Sequence, residues 1–232
     1  MLFDSSGRPI SERIRIPTPR PATPKAIFQV LKQISAEVNG KFQSISAGFP
    51  GVVKNGITTN APNLGTGWKE FRLQQALERE FSVEARVAND ADLQGLGASL
   101  GKGVELTITL GTGLGSALIC NGVPIPNLEL GHHPFRHGQS YEEQLGKEAL
   151  DAIGKERWNQ RVRKMIHNLE IGFNYDALFL GGGNAKYVFG KLLPFGKLPP
   201  NVRLISNEYG MLGGVRLWVP DVRLTPHYLN AA

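Results

Sequence analysis

Four short stretches of this 232-residue chain combine residue types that can bind an anion, hold hydroxyl groups or move a proton. In Leu110-Gly111-Thr112-Gly113-Leu114-Gly115-Ser116, glycines alternate with a threonine hydroxyl. Such a turn can bring several backbone N–H groups close to an anion, with no Cβ in the way. In Asn89-Asp90-Ala91-Asp92, an amide and a carboxylate follow the alternating run Val83–Ala88. At a strand end they can hold a hydroxyl and take its proton, and the same residue types also cap helices. Glu129-Leu130-Gly131-His132 sets an acceptor three residues from a mixed donor/acceptor. A lone histidine of this kind is commonly a structural one. Finally, the apolar run Ala177–Leu180 ends in Gly181-Gly182-Gly183-Asn184, a flat backbone surface open to a base, a ribose or an anion.

These residues need elements to position them, and the surrounding pattern supplies candidates. Val104–Leu110 leads into the glycine-rich turn, Ala117–Cys120 leads out of it, and Asn121-Gly122 ends the second run. Asn-Gly between apolar runs is a strong hairpin signal, because both turn residues take positive φ. The reading is strand, turn, strand, tight turn, strand. No GK[ST] follows and no helix opens at the turn, so neither a Walker loop nor a Rossmann fingerprint fits.

Upstream, Leu2–Phe3 and Ile10–Ile16 read as strands, followed by a link bearing Pro17, Pro19, Pro21 and Pro24. Thr23 and Pro24 form an N-cap and first-turn pair for a helix carrying Ile27, Val30, Leu31, Ile34 and Val38. Strand Ser44–Phe49 and a helix through Leu73, Ala76, Leu77 and Phe81 follow. Downstream, helix Glu156–Glu170 precedes Ala177–Leu180, then a helix, strand Val202–Ile205 and a terminal helix. Strands alternating with helices in both halves predict an α/β protein of two lobes.

The bulk composition, 41% hydrophobic and 20% charged, is that of a globular protein with a real core. No apolar run is long enough to span a membrane, and Met1 opens no secretory-type segment. The one cysteine, Cys120, excludes an internal disulfide framework and reads as a buried small hydrophobe in a reducing, cytoplasmic setting. The net charge of +6 has two visible sources. Lys186, Lys191, Lys197, Arg203, Arg216 and Arg223 face only Glu208 and Asp221 in the last stretch. On helix Glu156–Glu170, Arg157, Arg161 and Lys164 flank the apolar stripe of Trp158, Val162, Met165, Ile166 and Leu169. Such stripes are usually solvated faces, and otherwise attract a polyanion. Nucleic acid is disfavoured, since no helix-turn-helix arm, RNP run or zinc-finger spacing is present.

The order of these motifs resembles the ROK family of sugar kinases and repressors, most of all its polyphosphate/ATP glucokinase branch. The resemblance runs from about Leu2 to Gly214. It also draws on Ile16–Pro24 (IPTPRPATP), Ala47–Val53 (AGFPGVV), Asn60–Trp68 (NAPNLGTGW) and Ile125-Pro126-Asn127-Leu128-Glu129-Leu130-Gly131-His132. It implies an α/β, actin-like (ribonuclease-H-like) two-lobed ATPase fold with a cleft between the lobes. The expected lobes are residues 1–101 and 102–213, with 214–232 packing back on the first. The implied activity is transfer of a phosphoryl group from polyphosphate, ATP or both to the 6-hydroxyl of glucose, with Mg²⁺, in a cytoplasmic homodimer that binds neither nucleic acid nor membrane.

Residue by residue, the resemblance makes Asp90 the base and gives the sugar to Asn63, Asn89, Asp90, Glu129, His132 and Glu142. Gly111, Thr112, Gly113 and Gly115 become a phosphate turn, and Gly181, Gly182 and Gly183 the adenosine-side turn, or else glycines needed for close packing. Asp92 is expected to face the helix or solvent. Many family members hold structural zinc through a histidine and a following cysteine cluster. No cysteine follows Cys120, so His132, His133 and His137 are not expected to bind zinc.

The chain also departs from the family pattern: the DxGGT-type phosphate turn does not occur in it, and Met1–Arg8 matches the hairpin after that turn. A start placed too late and a naturally shortened protein both explain this. A chain beginning at Met1 is expected to lose sheet hydrogen bonds and part of its phosphate clamp. In that case a non-catalytic protein binding sugar or polyphosphate is the alternative.

Overall fold

The computed structural model describes residues 1–38, 42–59, 61, 64–188 and 198–218. Asn63 and the basic residues Lys191, Lys197 and Arg223 lie outside them. By their internal contacts the residues form two compact units, Met1–Asp90 with Gly214–Ala232, and Ala91–Gly213. The division lies at Asp90/Ala91, where the sequence reading expects a boundary after residue 101, and residues 214–218 group with the first unit.

The first unit opens with a small hairpin in which Phe3 bridges Pro9. Asp4 closes it by accepting from the Ser6 hydroxyl at 2.6 Å and the Arg8 N–H at 3.0 Å. These donors lower its carboxyl to about 2. Residues 10–16 are not a strand: the run carries isoleucines at 10, 14 and 16, but among the described residues no neighbour gives it a ladder. Helix α1 (Pro24–Glu37) starts as the sequence predicts, with Thr23 Oγ1 accepting the Ala26 N–H at 3.3 Å and Pro24 in the first turn.

Strand β1 (Ser44–Phe49) precedes the short antiparallel pair β2 (Val53–Lys54) and β3 (Ile57–Thr58). Helix α2 (Leu73–Phe81) leads to β4 (Glu84–Asn89), which lies parallel to β1 with Phe49 opposite Asn89. The core here is Phe49, Val53, Trp68, Leu73, Leu77 and Ala85. Trp68 lies 5.1 Å from the Phe49 ring and 5.4 Å from Phe71, and its indole N–H donates to the Ala22 carbonyl at 2.7 Å. That bond ties the Asn60–Trp68 motif to the proline-rich link.

Helix α3 (Asp90–Ala98) follows β4 without a loop, and every residue from Ala91 to Ala98 is buried. Strands β5 (Val104–Leu110), β6 (Leu114–Cys120) and β7 (Val123–Ile125) form the predicted meander. Asn121 and Gly122 sit at φ 50° and 82°, as the Asn-Gly turn requires. A 3-10 turn, Leu130–His132, leads to the hairpin β8 (Pro134–Arg136) and β9 (Gln139–Ser140). Helix α4 (Tyr141–Leu145) then carries a capping box between Ser140 and Glu143.

Helix α5 (Lys147–Phe173) is longer than the predicted Glu156–Glu170, but its axis breaks at Gly154, where φ 75° and ψ 165° leave the helical region. Strand β10 (Ala177–Gly181) and β11 (Val202–Leu204) complete a five-stranded sheet in the order β11-β10-β5-β6-β7, with β10 parallel to both neighbours. Between them only a 3-10 turn, Ala185–Tyr187, is seen, and the rest of the expected helix lies outside the described residues. Helix α6 (Glu208–Arg216) runs across the division between the units.

The core of the second unit joins Leu106, Ile108 and Leu110 of β5 to Trp158, Val162, Met165 and Leu169 of α5. The apolar stripe predicted for that helix is therefore its buried face. Cys120 is half-buried, less enclosed than the sequence reading has it. Among the described residues no helix is long and apolar enough to cross a membrane.

Candidate active site

The turn between β5 and β6 is held from behind and open in front. The Gly111 N–H donates to the Gly113 carbonyl at 3.0 Å, and the Thr112 carbonyl accepts the Lys147 N–H at 3.1 Å. The N–H groups of Thr112 and Gly113 find no acceptor among the described residues, and Thr112 is exposed. None of Gly111, Gly113 and Gly115 has positive φ, so their value is space. A Cβ on Gly111 would meet nothing within 4 Å, whereas one on Gly113 would collide with the Glu142 carboxylate. Two unclaimed amides, a hydroxyl and an open glycine face suit a bound anion.

The second glycine segment comes to the same place. Strands β5 and β10 are parallel, so Leu110 and Gly181 end at the same edge of the sheet. Asn184 Nδ2 donates to the Gly111 carbonyl at 2.9 Å, and the Asn184 N–H to the Leu110 carbonyl at 2.8 Å. Gly182, at φ 84°, lies against the Leu110 backbone too closely for any side chain. Close packing is thus one use of these glycines, while Gly183 faces open space. Asn184 is a positioning residue that sequence reasoning missed, because its partner lies 73 residues away. The carboxyl ends of parallel strands are where open α/β sheets bind ligands.

In the first unit, Asn89 ends β4 and its Nδ2 donates to the Gly51 carbonyl at 3.1 Å. Asp90 begins α3 and is exposed. Asp92, expected to face the helix or solvent, is 5% exposed, and its Oδ2 accepts the Asn127 N–H at 3.1 Å. Ser116 continues the fixing of this segment. Its hydroxyl donates to the Leu128 carbonyl and accepts the Leu130 N–H at 3.1 Å. Glu129 and His132 therefore rise from a pinned stretch, with Oε2 and Nε2 3.7 Å apart and both side chains well exposed. The structure brings these two together.

Glu142 lies between this motif and the glycine turn: a Cβ on Gly131 would touch its Cβ at 3.8 Å, and its Oε2 accepts the Leu114 N–H at 3.0 Å. In the basic stripe, Arg157 and Lys164 are exposed. Arg161 is half-buried and donates to the Gln144 carbonyl at 3.1 Å, and burial together with the neighbouring charge of Arg136 holds its guanidinium below the usual range.

The sequence model of the ROK family matches residues 1–144. The chain belongs to the ROK family. Among ROK proteins, the polyphosphate glucokinase of Mycobacterium tuberculosis is 32% identical over 230 residues, spanning 93% of this chain and 84% of that protein. The crystal structure of the inorganic polyphosphate/ATP-glucomannokinase from Arthrobacter sp. strain KM superposes with a TM-score of 0.77 at 28% identity, over 91% of this chain and 89% of that one. A ROK glucokinase from Streptomyces griseus, solved with glucose and AMPPNP, superposes with a TM-score of 0.70 over 93% of each chain; at 20% identity it bears on the fold alone. The fold is accordingly the actin-like, ribonuclease-H-like α/β ATPase fold of ROK sugar kinases. The named relatives across most of the chain are sugar kinases, which makes phosphoryl transfer to a sugar the reaction class of its group.

Proposed function

We propose that this ROK protein transfers a phosphoryl group from polyphosphate, ATP or both to the 6-hydroxyl of glucose, as a cytoplasmic homodimer. The observation that carries the reading is the glycine turn, with unclaimed Thr112 and Gly113 amides and open space at Gly111, beside Gly181–Gly183. Phosphoryl transfer requires mainly positioning and charge stabilisation. Amides aimed at the transferring group supply that without reorganisation. In this reading Asp90, an exposed residue at the start of an otherwise buried helix, orients the 6-hydroxyl and takes its proton. Asn63, Asn89, Glu129 and His132 hold the remaining hydroxyls.

Magnesium is held chiefly by phosphate oxygens, water and one or two carboxylates. Among the described residues no three His, Cys, Asp or Glu side chains are arranged to hold a metal. In this reading Mg²⁺ arrives on the donor's phosphates, which asks at most one or two carboxylates of the protein.

The test is direct: incubate the protein with glucose and either ATP or polyphosphate, and follow glucose 6-phosphate by phosphorus NMR. Product with at least one donor is expected. Glucose binding by calorimetry without product from either donor would favour a sugar-binding protein instead.

A further inference from the structure

One part of the second unit gathers lysines around an aromatic ring beside both glycine segments. Helix α5 leaves helical geometry at Gly154 and resumes at Lys155. A turn later, the fully buried Asn159 donates from Nδ2 to the Lys155 carbonyl and to the Tyr187 carbonyl, each at 2.8 Å. That amide clips the restarted helix to the 3-10 turn Ala185–Tyr187. The 3-10 turn is itself anchored to the glycine face. The Tyr187 N–H donates to the Asn184 carbonyl at 2.9 Å, and the Asn184 side chain holds the Gly111 carbonyl. Against the Tyr187 ring lie the Lys155 ammonium, 4.4 Å from its centroid, and the Lys186 ammonium, at 5.1 Å. Both lysines are exposed, and neither has a carboxylate within ion-pair distance among the described residues. Lys147, by contrast, is paired with Asp151 at 2.7 Å.

We propose that Lys155 and Lys186, braced on Tyr187, form a second phosphate-binding station for a polyphosphate donor, taking phosphates beyond those held at the Gly111–Gly113 turn. A cation over an aromatic face is attracted by the ring's quadrupole. The ring restrains each ammonium without consuming its N–H donors, which stay available to an anion. Lysine suits this ligand, because a compact point charge binds phosphate oxygens without demanding one orientation. Two uncompensated positive charges beside a glycine turn set up an attractive field for a chain of negative ones. A nucleobase fits this place less well, since it would compete with both lysines for the ring. The inference rests on reading the glycine turn as the phosphoryl-donor site, and binding of polyphosphate alone tests it apart from turnover.

Lys155→Gln and Lys186→Gln are changes at exposed side chains that leave Asn159 and both glycine segments in place. In calorimetry without sugar, long-chain polyphosphate should bind the native protein more tightly than tripolyphosphate does. The glutamine double variant should lose on the order of tenfold in affinity for the long chain. The log–log salt dependence of that binding should flatten by about one for each lysine removed. Lys155→Arg with Lys186→Arg keeps both charges and should restore both readings. Where turnover is present, the glutamine double variant should raise the KM for polyphosphate about tenfold and that for ATP at most about twofold. Long-chain polyphosphate that binds native and double-variant protein equally, or no more tightly than tripolyphosphate, would overturn the proposal. So would equal losses with both donors, because the lysines would then serve phosphates that ATP shares. A larger loss of ATP than of polyphosphate affinity in Tyr187→Leu would make the ring a base platform and overturn it as well. Lysine-dependent polyphosphate binding without product would leave the station standing and defeat the kinase reading.

Discussion

The two units are made of the same kinds of element but are framed differently. In the second, β5 runs between two strand neighbours, and its Leu106, Ile108 and Leu110 are at most 1% exposed beneath α5. In the first, the described residues give a two-stranded parallel pair, β1 and β4, and α1 has no fully buried residue. Parallel pairs normally lie inside larger sheets covered on both faces. The first unit instead relies on one aromatic cluster and on its C-terminal residues. Ser46 donates to the Gly214 carbonyl at 2.5 Å, and Arg86 stacks 4.2 Å over Trp218. The turn proposed to aim amides at a phosphate is thus backed by a full sheet, while Asn89 and Asp90 end a much shallower one.

The largest effect that could break this comparison comes from Trp68→Ala. Removing a fully packed tryptophan typically costs about 3–5 kcal/mol. Here it should release the amides of β1 and β4 to hydrogen exchange while those of β5 and β10 stay protected. Simultaneous loss in both units would mean that they unfold as one, and the contrast drawn here would fail.

A smaller effect sharpens the other side. Burial pushes the Tyr175 phenol up to about 12, with Glu170 adding to it. The group is harder to ionise folded than unfolded, so stability is full below pH 10 and falls as the pH rises towards 12. At pH 11 the loss should be about 1 kcal/mol by linkage. It should be absent in Tyr175→Phe when melting is compared at pH 8 and pH 11.

Least in size is the response of the donor side to salt. A polyanion that releases counterions binds less tightly as salt rises, so the KM for polyphosphate should increase several-fold between about 50 and 200 mM salt, and that for ATP much less. Arg157 is the residue to reverse, because Arg161 is engaged with the Gln144 carbonyl and its loss would disturb packing. Selective weakening of polyphosphate use by Arg157→Glu supports a polyanion path along α5. No change with either donor returns that stripe to a solvated face.

What the sequence revealed follows the range of the interactions involved. The β5–β6–β7 meander, the Asn121-Gly122 turn and the Thr23-Pro24 start of α1 obey rules a few residues long, and each was legible. Residues 10–16 carry the side chains of a strand, but a strand also needs a partner, which no local pattern reveals. Asp92 looked like one more polar residue on a helix, because the Asn127 N–H that it binds lies 35 residues on. The Leu114 N–H that Glu142 binds lies 28 residues away, so no local pattern shows that contact. The glycines of the β5–β6 turn read as leaving no Cβ in an anion's way, and in the structure they lack positive φ and leave open space at Gly111.

The central claim is that Asp90, at the exposed start of an otherwise buried helix, is the base of a sugar kinase. It is tested most directly by Asp90→Asn, with kcat measured for glucose 6-phosphate formation and glucose affinity measured by calorimetry. Asparagine keeps the shape of the residue and loses the base, so kcat should fall by about 10²–10⁴ with glucose binding nearly intact. Turnover that survives the change at the native rate would contradict the account.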